Sequence, residues 1–144
     1  MAREASYTPQ ENSGVHDGSI DAAQRTMTVQ RLQELEALES SILDAVPQAI
    51  LGLHNRRIIF ANSAIKDTFG WDREELVGRS VTCLYRSQEE SKKIARYFYS
   101  TLKKQRTFDT EFPCRHKDGR DILCRMRAAR IGDELKERRI VITY

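Results

Sequence analysis

The sequence predicts an α+β domain built on an antiparallel sheet, preceded by an amphipathic helix. Three observations carry this. Leu35, Leu38, Ile42 and Ala45 recur at alternating spacings of three and four, two capping boxes open helices in mid-chain, and two alternating runs near the C-terminus admit only one register.

The chain has 144 residues, 40% hydrophobic and 31% charged, which suits one core and leaves little for a second. Residues 1–27 mix small and polar residues without apolar period and are expected to be disordered or partly ordered. From Thr28 to Val46 the seam predicts a helix that Pro47 stops. Such a helix either pairs with its copy or packs on its own domain, and about two heptads favour the dimer only slightly. Residues 47–144 make up the folded domain.

Within that domain "AILGLH" and "RIIFAN" read as strands joined by the polar "NRR", and Asn62 suits the N-cap of a helix "SAIKDTF" ended by Gly70. In "WDREEL" Asp72 can cap, Glu75 can answer three residues later and Trp71 can staple onto Leu76, while Gly78 keeps this helix short. Ser87 and Glu90 repeat the box and open a longer helix with Ile94, Phe98 and Leu102 on one face and Lys92, Lys93, Arg96 and Lys103 elsewhere.

The last third reads as sheet. Closing "TFDTEFPCR" onto "DILCRMRA" with a two-residue turn sets Phe112 against Arg125. A three-residue loop, Lys117-Asp118-Gly119 with Gly119 left-handed, instead pairs Cys114 with Ile122, Phe112 with Cys124, Thr110 with Met126 and Phe108 with Ala128. Glu111 then meets Arg125, Asp109 meets Arg127 and Arg115 meets Asp121, so both faces choose one register. "RRIVITY" supplies a final strand.

Taken together, "ILDAVPQAILGLHNRRIIFANSAIKDTFGWDREELVGRS", "EFPCRHKDGRDILCRMR" and "RRIVITY" resemble the PAS sensor domains from about Ile42 to Tyr144. The resemblance implies the PAS fold, a five-stranded antiparallel sheet in order 2-1-5-4-3 with helices on one face and a small pocket between the long helix and the sheet. Its members sense ligands, bind cofactors or dimerise, and pass the result to an attached output domain. The family's last strand often runs into an Asp-Ile-Thr motif that this chain does not reach, so an excised input domain of a longer protein is expected.

The flavin-binding branch carries "G-R-N-C-R-F-L-Q", whose cysteine bonds the flavin; the matching stretch here is "GRSVTCLY". Ser80 stands for the Asn, Val81 for the reactive Cys and Tyr85 for the flavin-contacting Gln. Cys83 comes two residues late, turned by about 200° on a helix, and is read as filler. Haem in this family is normally held by a histidine on the long helix, which has none; His54 and His116 read as solvated side chains. No cofactor is therefore expected, neither flavin nor haem. The three cysteines, Cys83, Cys114 and Cys124, lack C-x-x-C spacing and point to reduced thiols, with neither a disulfide nor a metal site.

No catalytic constellation appears, so this chain is not expected to be an enzyme, although a parent histidine kinase or diguanylate cyclase is compatible with it. A net charge of +3 with scattered basic residues gives no support to nucleic-acid binding. No apolar run or secretory signal suggests membrane contact, and a cytoplasmic protein is expected. Two functions stay open. A ligand sensor would use a pocket lined by Val81, Leu84, Ile94, Phe98, Leu102, Phe112, Cys124 and Met126. An interaction module would have those residues fill one another and would act as a homodimer through Leu35, Leu38 and Ile42. In either case the partner is an output domain of the same natural protein.

Overall fold

The structure is a computed structural model that describes residues 17–144. The chain divides into two units, 1–38 and 39–144. Helix α1, Asp17–Ala45, begins in the first and ends in the second. It starts eleven residues before the expected Thr28; the expectation for residues 1–16 lies outside the described residues. The upstream segment lacks an apolar face, but an exposed helix needs none. Ala22 and Ala23 favour the conformation, Arg25 pairs with Asp21 at 3.1 Å, and the Thr26 and Thr28 hydroxyls donate to the Ala22 and Gln24 carbonyls at 2.9 Å.

The second unit carries β1 (Ile50–His54), β2 (Arg57–Ala61), α2 (Ile65–Phe69), α3 (Arg73–Leu76), a 3₁₀ helix (Val81–Leu84), α4 (Gln88–Leu102), β3 (Thr107–Arg115), β4 (Asp121–Arg130) and β5 (Ile140–Thr143). The strands form one antiparallel sheet in order β2-β1-β5-β4-β3. Apolar residues of α2, α3, the 3₁₀ helix and α4 share one core with the strands, including Ile65, Leu76, Leu84, Ile94 and Met126.

The β3–β4 register is the one both faces demanded: Cys114 faces Ile122, Phe112 faces Cys124, Thr110 faces Met126 and Phe108 faces Ala128. Arg115 meets Asp121 at 3.0 Å and Arg127 approaches Asp109 at 3.9 Å. The loop is 117–119: the His116 N–H donates to the Arg120 carbonyl at 2.9 Å, and Gly119 has φ 93°.

The β1–β2 connection is tighter than expected. Arg57 pairs with His54, leaving Asn55 and Arg56 as a two-residue turn with φ 48° and 66°. Both residues are left-handed, the geometry that matches strand twist in a two-residue hairpin. A bulge follows between Gly52 and Leu53. Gly52 is required there, because a Cβ on it would lie 2.1 Å from the Phe60 ring.

Asn62 is not the N-cap of α2, which is Ala64 with no side-chain cap. Its side chain is 1% exposed and fully engaged. Oδ1 accepts from the Ile50 N–H at 2.9 Å, and Nδ2 donates to the Leu43 and Gln48 carbonyls at 2.9 and 2.8 Å. A buried amide satisfies the donors and acceptors of whatever chain crosses it, and here that is the end of α1 and the start of β1. Gly70, at φ 78°, closes α2 as expected.

The second box behaves as half a box. The Ser87 hydroxyl accepts from the Glu90 N–H at 3.2 Å, but the Glu90 carboxylate is taken by Arg86, with Nε to Oε2 at 2.9 Å. In the first box the Asp72 N–H donates to Glu75 Oε2 at 3.1 Å. Gly78, at φ 89°, then turns the chain and its N–H donates to the Ile58 carbonyl at 2.8 Å. Trp71 packs at the edge of the core that holds Leu76, with Arg79 and Lys117 over its ring at 5.1 and 5.2 Å.

Candidate sensory site

The face of α4 set by the Ile94, Phe98 and Leu102 spacing lies against the sheet, these residues being at most 3% exposed. Between them and the strands is a cavity of about 10 Å³, room for roughly one water. Of the expected pocket residues it touches Val81, Ile94 and Phe98. Leu84, Leu102, Cys124 and Met126 are buried elsewhere in the same core, and half-buried Phe112 meets Tyr85 edge-on at 5.9 Å.

The reading missed the cavity's polar wall, formed by Arg56, Ser91 and Tyr99. Ser91 lies three residues before Ile94 on the same helical stripe, so periodicity could have found it. Nothing in the sequence marked Arg56, which sits in a turn. Its Nη2 donates to Ser91 Oγ, and its carbonyl accepts from the Val81 N–H at 2.9 Å. Arg56 Nε is buried without an acceptor among the described residues.

Val81 opens the 3₁₀ helix and is 4% exposed. A 3₁₀ helix turns about 120° per residue, so Cys83 is rotated by about 240° from Val81, more than the α-helical figure expected. Cys83 is half-buried against the core. Burial pushes its thiol up, with Arg79 opposing. Tyr85 is buried, which holds its phenol neutral.

Of the two histidines, His116 departs from the solvated expectation. His116 is only 13% exposed and lies over Gly70, where a Cβ would come within 2.3 Å of its ring; its Nδ1 accepts from the Asp118 N–H at 3.1 Å. His54 is partly exposed and pairs with Glu137 at 2.9 Å. Among the described residues no group of histidine, cysteine and carboxylate side chains is placed to hold a metal.

The last turn of α1 is fastened to this unit at three points. Besides Asn62 on Leu43, the Asp44 carboxylate accepts from the Ser63 N–H at 3.2 Å and pairs with Arg73 at 3.1 Å. The Ser63 bond, foremost, holds the Asp44 carboxyl below its ordinary range. The helix therefore ends on the β2–α2 corner, beside the strand that lines the cavity.

The family model for the PAS fold matches residues 38–143, which take in the whole five-stranded sheet and α4. The chain belongs to the PAS family. Sensor protein TdiS of Thauera aromatica is 35% identical over 78 residues, which is 54% of this chain and 14% of that protein. The match therefore spans about one seventh of that relative. The PAS domain of a LuxR-family transcriptional regulator from Burkholderia thailandensis, solved in complex with ethanol, superposes with TM-score 0.67 at 18% identity, covering 72% of this chain and 91% of that one. The LOV domain of a blue-light activated histidine kinase from Erythrobacter litoralis gives TM-score 0.54 at 14% identity, covering 68% and 93%. At these identities the structures share the fold with this PAS domain. A PAS domain is a sensory module of signalling proteins, and here the match takes in the end of α1 and every element from β1 to β5. Among the described residues, no helix is long and apolar enough to cross a membrane.

Proposed function

We propose that this PAS domain is an input module that works through the arrangement of a parallel homodimer, with a filled core, and passes that arrangement to an output domain of its natural protein. The observation that carries the reading is a contrast in cover: the core cavity is only about 10 Å³, while Leu35, Leu38 and Ile42 on α1 are 48%, 57% and 56% exposed. Burying one such side chain is worth roughly 1.5–3 kcal/mol, enough in combination to hold two helices together. The Asn62, Asp44 and Arg73 bonds to the last turn of α1 supply the route by which a shift in the sheet moves the helix.

Light scattering at tens of micromolar tests it. The wild-type chain is expected to be a dimer, and the chain with Leu35→Asp and Leu38→Asp a folded monomer. A wild-type monomer, or a double variant that is still dimeric, overturns the reading.

A further inference from the structure

The outer side of α4 carries a second concavity, independent of the dimer helix. A cleft of about 500 Å³ is bounded by α4 and by the turns at 55–56 and 137–138. Every charged residue lining it is a cation: Arg56, Lys92, Arg96, Lys103 and Arg138. None of the five has an ion-pair partner among the described residues, whereas Lys66, Arg86 and Lys117 elsewhere are held by Asp72, Glu90 and Glu75.

Two tight turns with left-handed backbone border this cleft. Asn55-Arg56 has φ 48° and 66°, and Glu137-Arg138 has φ 51° and 50°. The Asn55 N–H donates to the Glu137 carbonyl at 3.0 Å, which locks one turn to the other. Arg138 is stacked on the Tyr99 ring at 4.9 Å. Like charges gathered in a cleft repel one another and focus a positive potential, and an anion relieves both.

Lys92 and Lys103 are eleven helical residues apart, about 16 Å, so an occupant that reaches both ends is elongated and carries more than one charged group. Arginine forks suit phosphoryl oxygens, whose higher charge matches five cations better than a lone carboxylate does. We infer that this cleft is a binding site for a small ligand bearing two or more linked phosphoryl groups, gripped centrally by Arg96 and Arg138. Arg56, shared between the cleft and the core cavity, makes the occupied site felt at Ser91 on the inner face of α4.

Titration calorimetry of the whole chain with sodium pyrophosphate, at about 0.15 M salt to screen diffuse attraction, tests this. Saturable one-to-one binding is expected. Arg96→Gln and Arg138→Gln, both at exposed side chains, should each weaken it about tenfold in a chain that stays folded by circular dichroism, and Arg125→Gln on β4 should leave it as it was. The absence of saturable heat overturns the assignment. So does an equal loss in Arg125→Gln, which would mean attraction by net charge alone, or citrate binding as tightly as pyrophosphate, which would remove the phosphoryl preference.

Discussion

Helices α1 and α4 carry the same apolar grammar and meet opposite fates. Ile94, Phe98 and Leu102 on α4 are 3%, 2% and 0% exposed, while Leu35, Leu38 and Ile42 on α1 are about half exposed. Spacing at three and four states that a helix has a face to bury; it does not state what covers it. For α4 the cover is written nearby, in the strands whose inward residues match it. For α1 the stripe is left about half exposed, and the dimer proposal has a second copy cover it.

The sharpest way to break the comparison is to remove a large side chain from the buried stripe. Phe98 packs edge-on to Phe108 with centroids 5.2 Å apart, and Phe98→Ala should destabilise the domain by about 3–5 kcal/mol in chemical denaturation. A loss under about 1 kcal/mol would mean that α4 is no more covered than α1. The next largest effect belongs to the joint between α1 and the sheet. Asn62→Ala leaves the Ile50 N–H and the Leu43 and Gln48 carbonyls without their partner, with an expected loss of about 2–3 kcal/mol. Gly119→Val, which puts a β-branched residue at φ 93°, should lower stability by more than about 1 kcal/mol. An unmoved denaturation midpoint would contradict the loop conformation.

The smallest expected effect is pH dependence. Asp44, held low first by the Ser63 N–H, Asp72, held low first by Lys66, and Glu75, held low first by Lys117, all have folded values below their ordinary range. Groups depressed in the folded state contribute stability that is present above the unfolded carboxylate range near pH 4 and lost as pH falls through the folded values. The melting temperature should therefore fall on going from about pH 6 to about pH 3, and Asp44→Asn should flatten that fall. A melting temperature that rose over this range would reverse the sign.

What could be read from the sequence follows the same division. The β3–β4 register was legible because two independent constraints, apolar pairing on one face and Asp109–Arg127 and Arg115–Asp121 on the other, agree only once. Asn62 was misread because capping grammar is local, and an asparagine before a helix reads alike whether it caps that helix or ties Leu43 to β1 nineteen and twelve residues away. The start of α1 was missed because an exposed helix needs no apolar period to announce it. Arg56 had no signature at all: the polar "NRR" reads as a connection, and the pairing of Arg57 with His54 is what puts Arg56 in a left-handed two-residue turn. The cavity could not be foreseen either. Apolar residues that fill one another and apolar residues that line a void share one pattern.

Amide hydrogen exchange at two protein concentrations tests the contrast between the helices most directly. Protection of α4 comes from its own sheet and should not change with concentration; protection of α1 around residues 32–42 should rise as the chain is concentrated, since its cover is a second copy. If α1 is as strongly protected as α4 in dilute solution, where monomers prevail, its stripe is covered from within the chain and the dimer account is wrong.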